Sequence, residues 1–412
     1  MSAPSAAPPE APLRAGARFP PEARATLRQR AIFECDKWDP QVGDVATIAP
    51  FPLTLAPEAW TELRRLAEAL ARETLAVEEE LVARPELHRA LGLPRRALAA
   101  LVPAAALGCP QGIARVARFD FHPTPDGWRI TEVNSDVPGG FNEASGMARL
   151  VAELVPDAAL VGDPVAAYVA ALLAAPGVPT VALVHATAYS DDHQVMRFLA
   201  RKLAARGARP TLISPLQMRW QNGFAHVAGS DGPADVLVRF FPAEWLTNLP
   251  RAGGWPHWFA GGRTPASNPG TALLTQSKRF PLVWDALRTP LPTWRSLLPE
   301  TRELPDVAWQ RDDTWVVKPA LGRVGAEVGI AGVSTTQEWQ TIARGARRYP
   351  REWVAQRRFA AEALPTDDGP VYPTIGVFTI DARAVGAYAR VARRPLIDAQ
   401  AQDAAVLIRP RA

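Results

Sequence analysis

The sequence predicts an α/β fold with helices and sheets in α+β layers, and three stretches carry that expectation. Residues 115–142, RVARFDFHPTPDGWRITEVNSDVPGGFN, hold two runs of apolar–polar alternation around a Pro/Asp/Gly turn, the pattern of a β-hairpin. Residues 180–214 read strand–helix–strand, which implies a parallel pair joined by a right-handed crossover. Residues 314–330 read as a strand, a glycine-containing loop and a return strand. A chain of 412 residues is long enough for two or three domains and a large core.

The hairpin gathers chemistry. Residues two apart in a strand share a face, so Arg118 and Asp120 point one way, and Glu132 and Asn134 do the same on the second strand. A fold at Pro125 and Asp126 sets Asp120 about opposite Glu132. Two carboxylates and an amide oxygen then converge beside one arginine. Opposed carboxylates repel, so such a pair usually waits for a cation. An all-oxygen set suits Mg2+. The competing reading is a surface hairpin with solvated charges.

Composition narrows the function classes. No apolar run approaches the ~20 residues that span a bilayer, which excludes a membrane partner of that kind. Residues 1–23, MSAPSAAPPEAPLRAGARFPPEA, lack the apolar core of a secretory signal, and residues 1–30 are expected to form a disordered lead-in. Cys35 and Cys109 are the only cysteines. They exclude a disulfide framework, fit a reducing cytoplasm and sit in no metal-ligand spacing. The formal charge is +4, with arginines spread along the chain and no dense basic block. That points to small anionic ligands and away from nucleic acid.

In chain order, residues 33–44, FECDKWDPQVGD, read as a loop with an aromatic anchor. Pro57–Ala83 has helical periodicity, with Leu63, Leu66, Leu70 and Leu75 near one stripe. Shorter helices at Pro85–Leu91 and 95–101 lead into the hairpin, and helices at 140–154 and 164–173 follow it. Strands at 181–185, 211–214 and 235–241 frame a helix that starts after Asp191 and Asp192, acids that favour a helix N-terminus. His185 reads as a strand-end residue. Residues 255–274 are rich in Gly and Pro and read as an irregular loop, after which SKRFPLVWDAL (277–287) starts a helix. Lys278 near that start would oppose the helix dipole unless it faced an anion; the alternative is a solvated lysine. TWVVK (314–318) is a strand, followed by PALGRVGA (319–326). The lysine precedes the glycines, so this is not the phosphate loop that ends in Gly-Lys-Ser/Thr. It fits a mobile hairpin lid over a nucleotide. The backbone could approach phosphates at Gly322 and Gly325, with Lys318 as a point charge. WVAQRRF (353–359) is a further strand. A late hairpin, 374–380 with 384–391, turns at 381–383 and projects Arg390, with Arg393 and Arg394 beyond.

In combination these pieces resemble the synthetase domain of the glutathionylspermidine synthase family of ATP-grasp ligases. The matching stretches are KWDPQVGD (37–44), RFD and EVN (118–120, 132–134), FFPAEWL (240–246), SKRFPLVWDAL (277–287), KPALGRVGA (318–326) and YPTIGVFTID (372–381). The carboxylates precede the phosphate-binding lysines, as in the permuted arrangement of this family. The resemblance is to the synthetase half alone. It implies an ATP-grasp fold with permuted motif order, plus an αβ domain of the pre-ATP-grasp type. The expected division is the lead-in at 1–30, a helical layer with the metal-binding hairpin at 31–175, the αβ substrate-side unit at 176–275, and the nucleotide-binding region with its lid at 276–412.

The resemblance also implies roles. Asp120, Glu132 and Asn134 would bind Mg2+, and Arg118 would steady the acyl phosphate and its transition state. Lys278 and Lys318 would hold the α- and β-phosphates of ATP. Arg323 in the lid would touch the transferred phosphate or the acid, Gln356 would line the adenine, and Arg390 would complete the anion site. The implied activity is ATP-dependent ligation of a small-molecule or peptide carboxylate to an amine. The oligomeric state is left open. SDVPGGFNEASG stands where the family carries an Ala-Asp-Thr-Pro-Thr-Ser type of loop bordering the acid substrate, so glutathione does not carry over with the fold. Two other functions compete: an ATP phosphotransferase that stops at phosphorylation, and a nucleotide-binding regulatory protein without turnover.

Overall fold

The computed structural model describes residues 11–39, 41–42, 45–107, 112–174, 177, 179–322 and 327–410. Three sheets organise it. The largest has eight strands in the order Leu13–Ala15, Leu53–Leu55, Gln402–Ile408, Arg383–Ala392, Tyr372–Ile380, Val116–Thr124, Gly127–Asn134, with Ala159–Leu160 pairing beside Gln402–Ile408. Neighbours are antiparallel except Gln402–Ile408 with Leu53–Leu55. The expected helix Pro57–Ala83 covers this sheet, burying Leu63, Leu66 and Leu70, while Leu75 is only half-buried. The late hairpin turns at Asp381 and Ala382, with φ of 48° and 60°. Both residues are in the left-handed region that suits the twist of a tight hairpin.

The second sheet is parallel, in the order Ala266–Ser267, Val236–Phe240, Thr180–His185, Arg209–Ile213, with the helix Ser190–Ala204 as one crossover. Its central strand is buried almost throughout, as a strand packed on both faces must be. The third sheet is antiparallel, in the order Thr301–Arg302, Trp353–Arg357, Trp315–Pro319, Gly329–Ile330. The helix Thr336–Arg348, started by a Thr335/Glu338 capping box, packs Ile342, Ala343 and Ala346 against Trp315, Val317 and Trp353. Among the described residues no helix is long and apolar enough to cross a membrane.

Several expectations need correction. The described part of the lead-in is structured. Leu13 is buried and pairs with Leu55, and Pro21–Cys35 is a helix. That helix buries only Leu27, Ala31 and Cys35, so its apolar stripe is too thin to read from sequence. It also takes in Phe33, which is exposed and anchors nothing. The stretch 277–287 forms only the 3-10 helix Phe280–Ala286, and Lys278 precedes it in a turn, its N–H donating to Ala320 O at 2.8 Å. The dipole conflict expected for Lys278 therefore does not arise. The helix expected at 140–154 opens as a π-helix, Asn142–Met147. The sheets also cut across a division into consecutive segments, because the late hairpin of 276–412 joins the sheet that carries the carboxylate hairpin. Arg323 and Gly325 lie outside the described residues.

Candidate functional site

The carboxylate hairpin, Val116–Thr124 with Gly127–Asn134, is bulged where its chemistry sits. Arg118 pairs with Asn134, Phe119 with Val133 and Phe121 with Ile130, so Asp120 faces two residues, Thr131 and Glu132. A bulge of this kind re-aims side chains. Here Arg118, Asp120, Glu132 and Asn134 all line one cavity of about 960 Å³. Arg118 grips Asp120 through both nitrogens of a fork, Nε to Oδ1 at 2.7 Å and Nη2 to Oδ2 at 2.8 Å, and its Nη1 donates to Gly139 O at 2.8 Å. The Asn134 amide donates to Asp120 Oδ2 at 3.0 Å, which leaves its carbonyl oxygen for another partner.

Glu132 is held separately. Lys278 Nζ lies 2.7 Å from Glu132 Oε2 and donates to Gly322 O at 2.8 Å. Burial pushes the Glu132 carboxyl up, but Lys278, then Lys318 and Arg118, outweigh it and hold the group below its ordinary range. The two carboxylates therefore do not face each other unpaired, as the hairpin pattern suggested; each has its own cation. Across the cavity, Lys318 rises from Trp315–Pro319 and donates to Gln356 Oε1 at 2.7 Å on the neighbouring strand. Burial, with Lys278 nearby, pushes Lys318 down to about 8, against the pull of Glu132. His122 lines the same space, and burial followed by Lys318 pushes it down to about 3, so its ring is neutral.

Lys318 yields a pH prediction. An ammonium that titrates near 8 is charged below that pH and neutral above it. Affinity for a nucleotide polyphosphate is therefore expected to hold up to about pH 8. Above it, affinity should fall by up to about tenfold per pH unit. Isothermal titration with ATP and Mg2+ from pH 7 to 9.5 checks this; a flat dissociation constant would remove Lys318 from the phosphate contacts.

Arg390, on Arg383–Ala392, donates to Asp398 O at 2.8 Å and stands 3.7 Å from Asp403. Asp403 belongs to a cluster that sequence reasoning missed. Lys37 Nζ lies 2.7 Å from Glu143, 2.9 Å from Asp403 and 3.4 Å from Asp39. Lys37 is 1% exposed. Burial would discharge Lys37, but Asp403, Glu143 and Asp39 more than offset it and raise it well above its ordinary value. Burial likewise pushes Asp403 up, whereas Lys37 draws Glu143 down. Glu143 sits in the π-helix, an element often found where side chains are aimed at a site. Lys37 lay within a quoted motif, but nothing in the sequence pointed to Glu143 or Asp403 as its partners.

A further network fixes the loop after the hairpin. Asp136, 1% exposed, meets fully buried Arg239 at 2.5 Å, and its other oxygen accepts the Ala243 N–H at 3.0 Å. Gln276 Oε1 accepts the N–H groups of Ser135 and Asp136 at 2.9 and 3.0 Å. Asn268 donates to Asp136 O at 2.8 Å. The backbone that presents Gly139 O to Arg118 is thus tied to the parallel sheet. Among the described residues no group of three or more His, Cys, Asp or Glu side chains could hold a metal ion; the candidate set is two carboxylates and an amide.

Residues 52–409 match the family described as glutathionylspermidine synthase pre-ATP-grasp. The chain belongs to that family. Its fold is ATP-grasp with a pre-ATP-grasp αβ unit. Among solved structures it is similar to a glutathione synthetase-like effector from Globodera pallida, at 12% identity and a TM-score of 0.58, covering 93% of this chain and 96% of that one. Two others align more loosely. One is a putative γ-glutamylcysteine synthetase from Methylobacillus flagellatus KT, at 12% identity, TM-score 0.42, 79% of this chain and 84% of that one. The other is D-alanyl-alanine synthetase A from Vibrio cholerae O1 biovar eltor, at 10% identity, TM-score 0.34, 52% and 68%. No curated protein matches the chain.

Proposed function

We propose that this protein is an ATP-dependent carboxylate–amine ligase that forms an amide through an acyl phosphate. One observation carries the proposal. Arg118, Asp120, Glu132, Asn134, Lys278, Lys318 and Gln356 come from four separated stretches of chain and line a single cavity, which the Lys37 cluster and Arg390 also line. Family membership supports the same reaction class.

The residues fit the groups this chemistry needs. Asp120, Glu132 and Asn134 offer the oxygen donors that Mg2+ prefers, and these three would hold it. When bound, Mg2+ neutralises charge on the transferring phosphoryl group. Lys278 and Lys318 would bind the nucleotide phosphates, with Gln356 on the nucleoside side. Asp120 fixes the Arg118 guanidinium beside the place where phosphoryl charge would develop.

A carboxylate is a poor electrophile, and its oxygen is a poor leaving group. Transfer of the γ-phosphoryl group to that oxygen releases ADP and makes phosphate the leaving group. An amine then attacks the acyl carbon, phosphate departs, and the amine proton passes to solvent or a nearby base. Catalysis in such a site is mostly positioning and charge stabilisation. The co-substrates are an acid, small or peptidic, and an amine; the cytoplasm is where ATP and both would be met.

The test is a screen of amino acids, peptides and polyamines for ADP release, with products identified by mass. A ligase gives ADP, phosphate and an amide only when acid and amine are both present. A phosphorylated product that accumulates without amine would make the protein a phosphotransferase. ATP binding with no turnover across the screen would favour the regulatory reading.

A further inference from the structure

Tyr388 lines the cavity and has no part in the site as described so far. Across the large sheet, Asp120, Gly376, Tyr388 and Ala405 form one row of paired residues. The glycine in that row opens a slot. A Cβ at Gly376 would lie 2.8 Å from Tyr388 Cε1 and 2.9 Å from Arg118 Cδ. The tyrosine ring and the arginine therefore meet over a floor that no other residue permits, with the guanidinium 5.3 Å from the ring centroid. The slot is closed from above by Gly140, at φ 94°, where a Cβ would strike Tyr388 Cε1 and Cζ at 2.7 Å and approach the hydroxyl at 3.1 Å. Two glycines from distant parts of the chain thus clamp one ring.

The ring is clamped, but its hydroxyl is not used. Tyr388 is 6% exposed and lines the cavity, yet among the described residues its hydroxyl has no hydrogen-bond partner. The hydroxyl is not one of the sealed polar atoms of the interior; it opens onto the cavity, where a bound ligand can accept from it. The charged groups that influence Tyr388 are Arg118 and Asp120 together with Arg390 and Asp403. In the sheet, Tyr388 stands on the strand between the one that pairs Gly376 with Asp120 and the one that carries Asp403.

We propose that the Tyr388 hydroxyl is a catalytic hydrogen-bond donor to the acid substrate's other carboxyl oxygen, the one that becomes the carbonyl of the acyl phosphate, where acyl phosphate and amine meet. This rests on the ligase reading. When the amine attacks, the carbonyl oxygen gains negative charge, and a fixed neutral donor stabilises it without giving up its proton. Burial supports that role by pushing the phenol up to about 12, so it stays protonated at any working pH. The two glycines hold the ring so that the donor is in place before charge develops.

Tyr388→Phe removes only the hydroxyl. The variant is expected to keep its Tm, or raise it, because no protein hydrogen bond is lost, and to bind ATP with Mg2+ as the parent does. With glutathione and dipeptides as acids and hydroxylamine as the amine, hydroxamate formation should lose about 10²–10³-fold in kcat. Parent-like turnover would overturn the proposal, and so would a lowered Tm with normal turnover of the folded protein, which marks a structural hydroxyl. A second measurement does not depend on turnover. The chain has five tyrosines. In protein labelled with 3-fluorotyrosine, the resonance absent from Tyr388→Phe reports this residue. It should shift when acetyl phosphate, a minimal acyl phosphate, is added to protein saturated with ADP and Mg2+. An unmoved resonance overturns the proposal even where no acid is turned over. A shift with no turnover of any acid–amine pair keeps the phenol contact and sinks the ligase reading.

Discussion

Glu132→Gln and Asp120→Asn are each expected to cut ADP formation by at least about 10³-fold, the scale seen when a fixed charge at a phosphoryl-transfer centre is removed. The two variants should differ in stability. The hairpin pattern alone suggested that removing one carboxylate relieves repulsion and leaves the empty protein no less stable. The ion pairs reverse that expectation. Asp120→Asn takes the charge partner from an Arg118 fork that makes two short bonds to it, so the guanidinium keeps Gly139 O and one neutral amide oxygen. Glu132→Gln leaves Lys278 with Gly322 O and removes the carboxylate that offsets Lys318. Both variants should therefore unfold at lower temperature without ligands, by roughly 1–3 kcal/mol in stability, with Asp120→Asn the worse. In Glu132→Gln, Lys318 should also titrate lower, moving the loss of nucleotide affinity to lower pH. Thermal unfolding and ATP titrations across pH read both effects. Normal turnover at saturating Mg2+ in either variant would remove that side chain from the site.

These contrasts show what could be read from the residues and what could not. Alternation with period two placed Arg118 with Asp120 and Glu132 with Asn134, because a strand fixes that relation locally. The long helix Pro57–Ala83, the parallel unit around Thr180–His185 and the late hairpin were legible for the same reason: each is written in a short, regular apolar pattern. The pairing of Glu132 with Lys278, of Lys318 with Gln356 and of Lys37 with Glu143 and Asp403 was not legible. Each joins residues far apart in sequence. Tyr388 shows the limit most clearly. Its environment depends on Gly140 and Gly376, and a glycine in a sequence announces flexibility but not which ring will fill the space it leaves. The π-helix was missed because its residues fit an ordinary helix, and only tertiary packing selects the wider turn. The helix Pro21–Cys35 was missed because three buried residues are too few to make a stripe against a Pro/Ala-rich background.

Lys37→Met should be the most destabilising single change in the cavity. Lys37 is 1% exposed and ties together three parts of the chain: its own segment, the π-helix through Glu143, and the strand Gln402–Ile408 through Asp403. Methionine fills much of the same volume, so the effect isolates charge from packing. Without the ammonium, Glu143 and Asp403 remain in the cavity wall with Arg390, 3.7 Å from Asp403, as the nearby cation among the described residues. Removing one partner of a buried ionic cluster typically costs about 3–5 kcal/mol, most of it the penalty of carboxylates left unpaired. The loss has a defined pH dependence. In the variant the folded-state carboxyls titrate above their unfolded values near pH 4, so the folded state holds protons that the unfolded chain has released. The deficit should then be smallest below pH 4 and grow as pH rises through the folded-state values. In the parent the same direction already holds for Asp403, whose carboxyl burial pushes up. Urea unfolding of both proteins from pH 4 to 8 measures the difference. A deficit that stays constant across that range would mean that Lys37 acts by packing alone, and a variant as stable as the parent at pH 7.5 would mean that the cluster carries no net charge worth neutralising.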